Sequence, residues 1–204
     1  MSAEAVLHET FDVSADRELV AHAVAGREES FAELVRRYQR PIASYIYRVV
    51  GNYDAALDLT QEVFIKVYNS LARYRAEHKF STWIYTIAHN AAIDHLRRMP
   101  RREPSLAGGV CQTEASFGEK PVISRTLSPE QESEKAERRA EVEAVVNALP
   151  PAYRELIELR HAHDLSYEEI AQITSLPLGT VKNRIFRARE MMRRLFIERG
   201  ITSM

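Results

Sequence analysis

The sequence contains very little cysteine and no long apolar run. Its 204 residues include a single cysteine, Cys111, which permits neither an internal disulfide nor a metal site built from cysteines. No stretch approaches the roughly 18 consecutive apolar residues that a membrane-spanning helix needs. The acidic start, with Glu4, Glu9 and Asp12, lacks the basic and apolar segments of a signal peptide. We therefore expect a cytosolic chain that is not inserted in a membrane and folds by packing alone.

An excess of basic charge is also missing. The 28 lysines and arginines stand against 29 acidic residues, so the net charge of −1 argues against a generic nucleic-acid binder. The charges are nevertheless segregated along the chain. Residues 1–35 carry eight acidic and two basic side chains, a sum of −6, which leaves +5 for the remaining residues. Different parts of the chain are thus expected to meet different partners.

Apolar residues recur at helical spacing through most of the chain, and no strand-like alternation competes with them. Residues 14–99 predict a bundle of about four helices, with Gly26, Pro41 and the Gly51-Asn52 pair separating the helices. The apolar positions that carry this prediction are Phe31, Leu34, Val35, Tyr38 and Ile42, then Val63, Phe64, Val67, Tyr68 and Leu71, and last Ile84, Ile87, Ala91 and Leu96.

The helical pattern is interrupted once, over residues 100–129. This stretch is rich in proline, glycine, serine and charge, which is typical of a flexible linker. Helical periodicity returns over residues 130–204, whereas residues 1–13 form an acidic tail. We predict an all-α protein with two small helical domains, 14–99 and 130–204, joined by the linker.

The second domain contains a helix-turn-helix pattern. Ser166 and Glu169 have the spacing of a capping box, which predicts a short helix from Tyr167 to about Ile173. A tight turn follows, and then a long helix runs from Gly179-Thr180 to about Glu198. Two helices joined in this way form a helix-turn-helix candidate.

The long helix has a strongly basic outward face. Between residues 179 and 194 six basic side chains stand against one acidic side chain. A solvated basic face would show the same pattern, but its one-sidedness favours a recognition helix in a DNA major groove. Lys182, Asn183 and Arg184 would then reach base edges. Arg187 and the later arginines would contact phosphates, which position the helix without reading sequence.

The first domain has aromatic residues among polar ones. Phe80, Trp83 and Tyr85 are typical of a surface that stacks unpaired bases of a single strand. Trp83 also has the spacing of a core residue, so the alternative is that it packs inside. The preceding loop, residues 73–79, is polar and basic and contains Tyr74, which makes it the favoured place for a base pocket.

A third cluster lies on the helix around residue 60. Helical spacing places Asp58, Gln61, Glu62 and Ile65 on the side opposite the apolar positions. An isoleucine among polar residues hints at a protein-protein contact, although single exposed apolar residues are common.

Enzymatic patterns are weak. His161 and His163 lack further ligands at a helpful spacing for a metal, and Cys111 has no neighbouring base. No glycine motif for phosphate binding is present. We expect no catalytic activity, no metal and no cofactor.

Three sequence strings together carry a specific resemblance. They are DLTQEVF at 58–64, FSTWIYTIAHN followed by IDHLRR within 80–98, and GTVKNRIFRAR at 179–189. In this order the chain resembles, over about residues 14–199, an extracytoplasmic-function sigma factor, the two-domain branch of the bacterial sigma family. Three ordered motifs are far more specific than a helix-turn-helix alone.

The resemblance implies a role for each cluster. Asp58, Gln61, Glu62 and Ile65 would dock on the clamp helices of the largest subunit of core RNA polymerase, with the polymerase flap as a further contact of the chain. The linker would thread toward the RNA exit path. The minus-ten promoter element would be read as single strand by Tyr74, Arg75, His78, Lys79, Phe80, Trp83, Tyr85, Asn90, Arg97 and Arg98. The minus-thirty-five element would be read as duplex by Thr180, Lys182, Asn183, Arg184, Phe186 and Arg187.

The function that this implies is promoter selection and melting by a subunit of RNA polymerase. The resemblance also implies a stress or envelope response and restraint by an anti-sigma protein. The alternative is a one-component helix-turn-helix regulator that binds duplex DNA as a dimer. Such a regulator needs a sensor pocket and a dimer seam, and the sequence shows neither a ligand fingerprint nor a clear heptad.

Overall fold

The computed structural model describes residues 13–75, 77, 79–98 and 129–200. Within these residues the chain forms α-helices and one 3-10 turn, Leu71–Arg73, and no strand, which confirms the predicted all-α fold. The helices are α1 (Val13–Val24), α2 (Glu28–Val50), α3 (Tyr53–Ser70), α4 (Phe80–Arg98), α5 (Pro129–Asn147), α6 (Pro151–His161), α7 (Tyr167–Thr174) and α8 (Leu178–Glu198).

Several predictions fall outside the described residues. They concern the acidic tail 1–13 apart from Val13, the linker 100–129 apart from Pro129, and the residues His78 and Cys111.

The boundary between α2 and α3 follows from two adjacent residues, as predicted. Gly51 takes a left-handed conformation with φ of 75°, and its N–H donates to the carbonyl of Tyr47 at 2.7 Å, which ends α2. Asn52 then caps α3, because its side-chain oxygen accepts a hydrogen bond from the N–H of Ala55 at 2.9 Å. The chain therefore reverses without leaving the helix ends unsatisfied.

The prediction that Pro41 separates two helices is wrong, because α2 runs through it. Proline removes one backbone donor and normally kinks or ends a helix. Here Tyr38 and Ile42 on one turn and Tyr45 on the next are all fully buried, so tertiary packing holds both sides of the proline in one helix.

The first helix is fixed to α2 by a buried carboxylate. Asp16 accepts a hydrogen bond from the hydroxyl of Tyr38 and pairs with Arg37 at 3.2 Å. A buried charge needs such partners, because desolvation of an unpaired carboxylate is costly. The contact sets where α1 crosses the bundle.

The C-terminal helices form the predicted helix-turn-helix. Pro151 is the first residue of α6, where a missing backbone N–H costs nothing. The capping box that opens α7 is present: the N–H of Glu169 donates to the Ser166 hydroxyl at 3.2 Å, and the N–H of Ser166 donates to the Glu169 carboxylate at 2.7 Å. Ser175, with φ of 54°, makes the turn into α8.

The N-terminal helices α1–α4 and the C-terminal helices α5–α8 pack against each other. α4 lies against α7, and α2 lies against α6. The buried apolar residues form one continuous core that includes Ile84 and Ala88 of α4 and Ile170 and Ile173 of α7. This packing covers one face of α4.

Candidate nucleic-acid and protein interfaces

The basic helix α8 presents the surface that the sequence predicted. Val181, Ile185 and Ala188 are buried and fix the helix against α6 and α7. The opposite face projects from the N-terminal half of the helix, where backbone donors and positive charge favour phosphates. The exposed members of the predicted set are Lys182, Asn183, Phe186 and Arg187.

Arg184 differs from its neighbours on α8. It is half-buried, and its positive charge is among the influences that lower the pKa of Glu155 on α6. Burial opposes this lowering, but hydrogen bonds from His89 and Tyr45 and the charge of Arg184 outweigh it. Arg184 therefore contributes to the electrostatics within the protein as well as to the basic face. Thr180, at the start of the helix, is also half-buried.

The aromatic residues of α4 lie mostly inside. Phe80 and Tyr85 are buried, while Trp83 is half-buried. The ring of Trp83 lies 5.8 Å from that of Phe80 and 5.3 Å from that of Tyr74, measured between centroids. The four rings are thus not equivalent, and only Tyr74 and Trp83 retain surface that a base could contact.

The remaining predicted minus-ten residues are more accessible. Arg75, Asn90, Arg97 and Arg98 are exposed on the loop before α4 and along that helix. Lys79 is about half exposed, and its ammonium group pairs with the carboxylate of Glu169 on α7 at 3.0 Å.

The predicted protein-binding face on α3 is present as one exposed strip. Asp58, Gln61 and Glu62 are exposed, and Ile65 is 61% exposed beside them. Glu62 accepts a hydrogen bond from Lys66 at 2.7 Å, which lowers the pKa of its carboxyl group and keeps it ionised. The strip combines fixed negative charge with an apolar side chain.

Sequence reasoning missed one member of this strip. Tyr68 was predicted to be a core residue, but it is 59% exposed, and its ring packs edge-on against Phe31 at 5.0 Å. The position three residues after Ile65 is the signal that could have placed it on the same face. Ile65 and Tyr68 together make the apolar part of the surface.

The two histidines considered as metal ligands have other contacts. His163 is buried, and its Nδ1 is hydrogen-bonded to the hydroxyl of Tyr85 at 2.7 Å. His161 is exposed and lies 3.3 Å from the guanidinium of Arg189. In the described part of the chain, no three histidine, cysteine or acidic residues group as metal ligands would.

Across residues 13–98 and 129–200, as far as they are described, no helix has the length and apolar character to cross a membrane.

Two family models match the chain, one over the N-terminal helices and the other over the C-terminal helices. Residues 34–102 match the family model of sigma-70 region 2, and residues 139–192 match that of sigma-70 region 4. The first match contains α3 and α4, and the second contains α6, α7 and most of α8.

Curated relatives cover nearly the whole chain. The RNA polymerase sigma-H factor of Pseudomonas aeruginosa is 39% identical over 176 residues, which span 86% of this chain and 90% of that protein. The ECF RNA polymerase sigma-E factor of Escherichia coli K12 is also 39% identical, over 86% of this chain and 91% of that protein.

Solved structures share the fold. CnrH, in complex with the cytosolic domain of CnrY, superposes with a TM-score of 0.62 at 22% identity, over 90% of this chain and 98% of that one. The sigma factor RpoE of Bartonella quintana, in complex with the anti-sigma factor NepR, gives a TM-score of 0.59 at 20% identity, over 82% and 97%.

Proposed function

Because the chain belongs to the extracytoplasmic-function branch of the sigma-70 family, we propose that its two groups of helices divide promoter recognition between them. A sigma factor binds core RNA polymerase, directs it to specific promoters and promotes DNA melting for initiation. The observation that carries the proposal is the presence, on one chain, of a basic α8 face, an aromatic α4 and a separate acidic and apolar strip on α3.

Residues 130–204 read the minus-thirty-five element as duplex DNA. The exposed side chains at the start of α8 reach base edges, while Arg187 and the later arginines neutralise phosphates. Phe186 adds an apolar contact of the kind that thymine methyl groups make. We place sequence discrimination on Lys182, Asn183 and Phe186, because the charge of Arg184 also helps to keep Glu155 ionised within the protein.

Residues 14–99 bind the minus-ten element as a single strand. The loop before α4 supplies Tyr74, Arg75 and Lys79, and the exposed Asn90 and the terminal arginines extend the surface along α4. An unstacked base on an aromatic ring contributes on the order of 1 to 3 kcal/mol, which helps to hold the melted strand.

The strip on α3 is the docking surface for the polymerase clamp helices. Asp58 and Glu62 provide charge for a basic partner, and Ile65 and Tyr68 provide apolar area. The C-terminal helices would contact the flap, and residues 100–129 would link the two DNA-binding parts inside the polymerase.

Regulation by an anti-sigma factor completes the proposal. The sigma factor RpoE of Bartonella quintana, which has the same fold, was captured with the anti-sigma factor NepR. We place the protein in the cytoplasm, with core polymerase and the chromosome, and assign it to a stress or envelope response. We assign it no catalytic activity of its own. The relatives do not favour the alternative of a dimeric one-component regulator.

Run-off transcription tests the function. Purified core polymerase, with and without the chain, is given genomic DNA fragments, and the 5′ ends of the transcripts are sequenced. We expect start sites that depend on the chain and share upstream elements. Combined Lys182→Ala and Asn183→Ala substitutions should reduce these starts, whereas Arg194→Ala, exposed on the last turns of the same helix, should reduce them less. If no start site depends on the chain, the proposed role in promoter selection is contradicted.

A further inference from the structure

A buried carboxylate on α1 connects that helix to the aromatic residues proposed to bind the minus-ten strand. Asp16 is only 2% exposed, although Arg17 and Glu18 beside it are exposed. Its carboxylate accepts a hydrogen bond from the Tyr38 hydroxyl and pairs with Arg37 at 3.2 Å. A buried charge adds little net stability over apolar packing, because desolvation offsets the attraction. The contact is therefore better suited to fixing a position than to adding stability.

Tyr38 carries this contact into the core of the N-terminal helices. Its side chain is fully buried, and its ring meets the ring of Phe80 edge-on, with 5.2 Å between the centroids. Phe80 is the first residue of α4. Burial and the hydrogen bond to Asp16 both raise the pKa of Tyr38, so the hydroxyl keeps its proton and remains the donor. Asp16 thus fixes a ring that contacts the start of α4.

Phe80 is the centre of an aromatic cluster, which we define as Tyr38, Tyr74, Phe80 and Trp83. The rings of Tyr74 and Trp83 each lie 5.8 Å from that of Phe80 and 5.3 Å from each other. Aromatic rings at this spacing prefer particular relative orientations. A displacement of Tyr38 would therefore pass through Phe80 to Tyr74 and Trp83, the two rings of the cluster that a base could contact.

Helix α1 also approaches Tyr74 directly. It packs against α4 and against the 3-10 turn Leu71–Arg73, which comes immediately before Tyr74. Burial raises the pKa of the Tyr74 hydroxyl above its usual value, the charge of Arg17 opposes this, and the charge of Asp16 adds to it. Both side chains of α1 are thus close enough for their charges to act on Tyr74. The helix borders the aromatic cluster at two places.

We propose that Asp16 is a positioning residue for minus-ten recognition, which acts through Tyr38 and Phe80 to hold Tyr74 and Trp83 in the arrangement that receives an unstacked base. The inference rests on the proposed minus-ten role of the N-terminal helices. The match to sigma-70 region 2 begins at residue 34, so α1 precedes it. Asp16 is buried and touches no DNA itself.

Fluorescence of Trp83 tests the positioning role without DNA. Trp83 is the only tryptophan of the chain, so quenching of tryptophan emission by acrylamide reports its accessibility alone. In the full chain, Asp16→Ala should raise the quenching constant about twofold, because the Tyr38 hydroxyl loses this acceptor and the aromatic cluster loosens. Asp16→Asn keeps an oxygen acceptor of the same size and should quench as wild type does. An unchanged quenching constant for Asp16→Ala overturns the proposal.

Two control variants separate positioning from general loosening. Glu33→Ala removes the other carboxylate that pairs with Arg37, at 3.1 Å, and leaves Asp16 in place. Val20→Ala removes buried apolar atoms from α1. All variants are compared at a temperature where circular dichroism shows them equally folded, and both controls should quench as wild type does. If either control changes quenching as much as Asp16→Ala does, the carboxylate has no specific positioning role.

Tyr38→Phe tests the path of the effect. This substitution removes the hydroxyl that donates to Asp16 but keeps the ring against Phe80. If Asp16 acts through that hydroxyl, Tyr38→Phe should change quenching as Asp16→Ala does, and the double variant should show no further change. Additive effects of the two substitutions would contradict the path through Tyr38.

Permanganate footprinting of melted thymines connects the positioning role with DNA. Holoenzyme containing each variant is bound to a promoter found by run-off transcription, and its affinity for a duplex fragment that ends before the melted region is measured separately. Asp16→Ala should reduce thymine reactivity about threefold to tenfold and leave the affinity for the upstream duplex within about twofold of wild type. Asp16→Asn should restore most of the melting. Unchanged melting by Asp16→Ala, or an equal loss with Glu33→Ala, overturns the proposal.

Failure of the proposed function looks different from failure of the positioning role. If wild-type holoenzyme yields no start site, the proposed function fails, and Trp83 quenching still decides whether Asp16 positions the aromatic cluster. If wild-type holoenzyme melts promoters and Asp16→Ala changes neither quenching nor melting, only the positioning role fails.

Discussion

Replacing Phe186 with alanine should weaken promoter binding and leave the fold intact. Phe186 is 65% exposed and lies on the predicted DNA face of α8, between Asn183 and Arg187. Since most of its ring lies outside the core, truncation removes surface that only a partner would cover. A phenyl ring in the major groove would contact thymine methyl groups.

The size of the effect follows from the exposed area. An aromatic side chain buries about 150 to 250 Å² when fully covered, so Phe186, at 65% exposure, offers roughly 100 to 160 Å² to DNA. At about 25 cal/mol per Å², complete coverage would contribute about 2.5 to 4 kcal/mol. Coverage of half that area gives about 1 to 2 kcal/mol, a loss of affinity of roughly fivefold to thirtyfold.

The assay compares promoter affinity with stability. Holoenzyme reconstituted with each variant is titrated with duplex DNA that carries the upstream element, and urea unfolding is measured on the free chain. Phe186→Ala should change the free energy of unfolding by less than about 0.5 kcal/mol. The control is Ile185→Ala, one position earlier and buried, which should lose about 2 to 5 kcal/mol of stability.

Two results would refute the reasoning. If Phe186→Ala unfolds as readily as Ile185→Ala, the ring has a structural role that its exposure does not reveal. If Phe186→Ala binds the promoter as tightly as wild type does, whichever thymine of the upstream element is replaced, the ring does not face DNA. The DNA-binding face of α8 would then have been assigned wrongly.

Three further predictions concern charge, docking and pH. Arg187→Ala should weaken binding to all promoters alike and lower the salt-dependence slope by about one unit, measured by titration at several salt concentrations. Ile65→Glu should reduce core-polymerase binding at least about tenfold without loss of stability, measured by co-elution and urea unfolding, and unchanged binding would contradict the α3 assignment. Burial, with a contribution from the charge of Arg48, lowers the pKa of His163 to about 3. Below about pH 6.5 the unfolded chain therefore binds a proton at His163 that the folded chain does not bind. The free energy of unfolding should thus fall by up to about 1.4 kcal/mol per pH unit as the pH is lowered from about 6.5 to about 3. Thermal unfolding at pH 7.5 and 5.5 should show a smaller acid loss for His163→Gln than for wild type, and equal losses would contradict this.

Local sequence signals were sufficient to predict most of the helix boundaries. The capping box at Ser166 and Glu169, and the Gly51-Asn52 pair, satisfy backbone groups within a few residues, so the sequence alone predicts them. The outward positions of α8 follow from helical spacing for the same reason. The path of α2 through Pro41 could not be predicted from local signals. Burial of Tyr38 and Tyr45 against the rest of the protein outweighs the backbone hydrogen bond that the proline cannot make.

Long-range packing accounts for what the sequence could not predict. Nothing near Tyr85 in the sequence indicates that its hydroxyl bonds to His163, 78 positions later, and nothing near Phe80 indicates that its ring packs against Tyr38 of α2. The position of Tyr68 was missed because aromatic residues at helical spacing are usually buried, and only the path of α2 shows that the ring lies on the surface. The candidate sites could therefore be located from the sequence, but not their accessibility.

Transcription from a promoter library with two randomised windows, upstream and at the melted region, tests most directly whether one chain reads two elements with different helices. Core polymerase with the wild-type chain should enrich a sequence in each window. Combined Lys182→Ala and Asn183→Ala substitutions should relax the upstream window and leave the downstream window unchanged, and Asn90→Ala should do the reverse. Relaxation of both windows by either variant, or no enrichment by the wild type, would contradict the assignment of α8 and α4 to separate promoter elements.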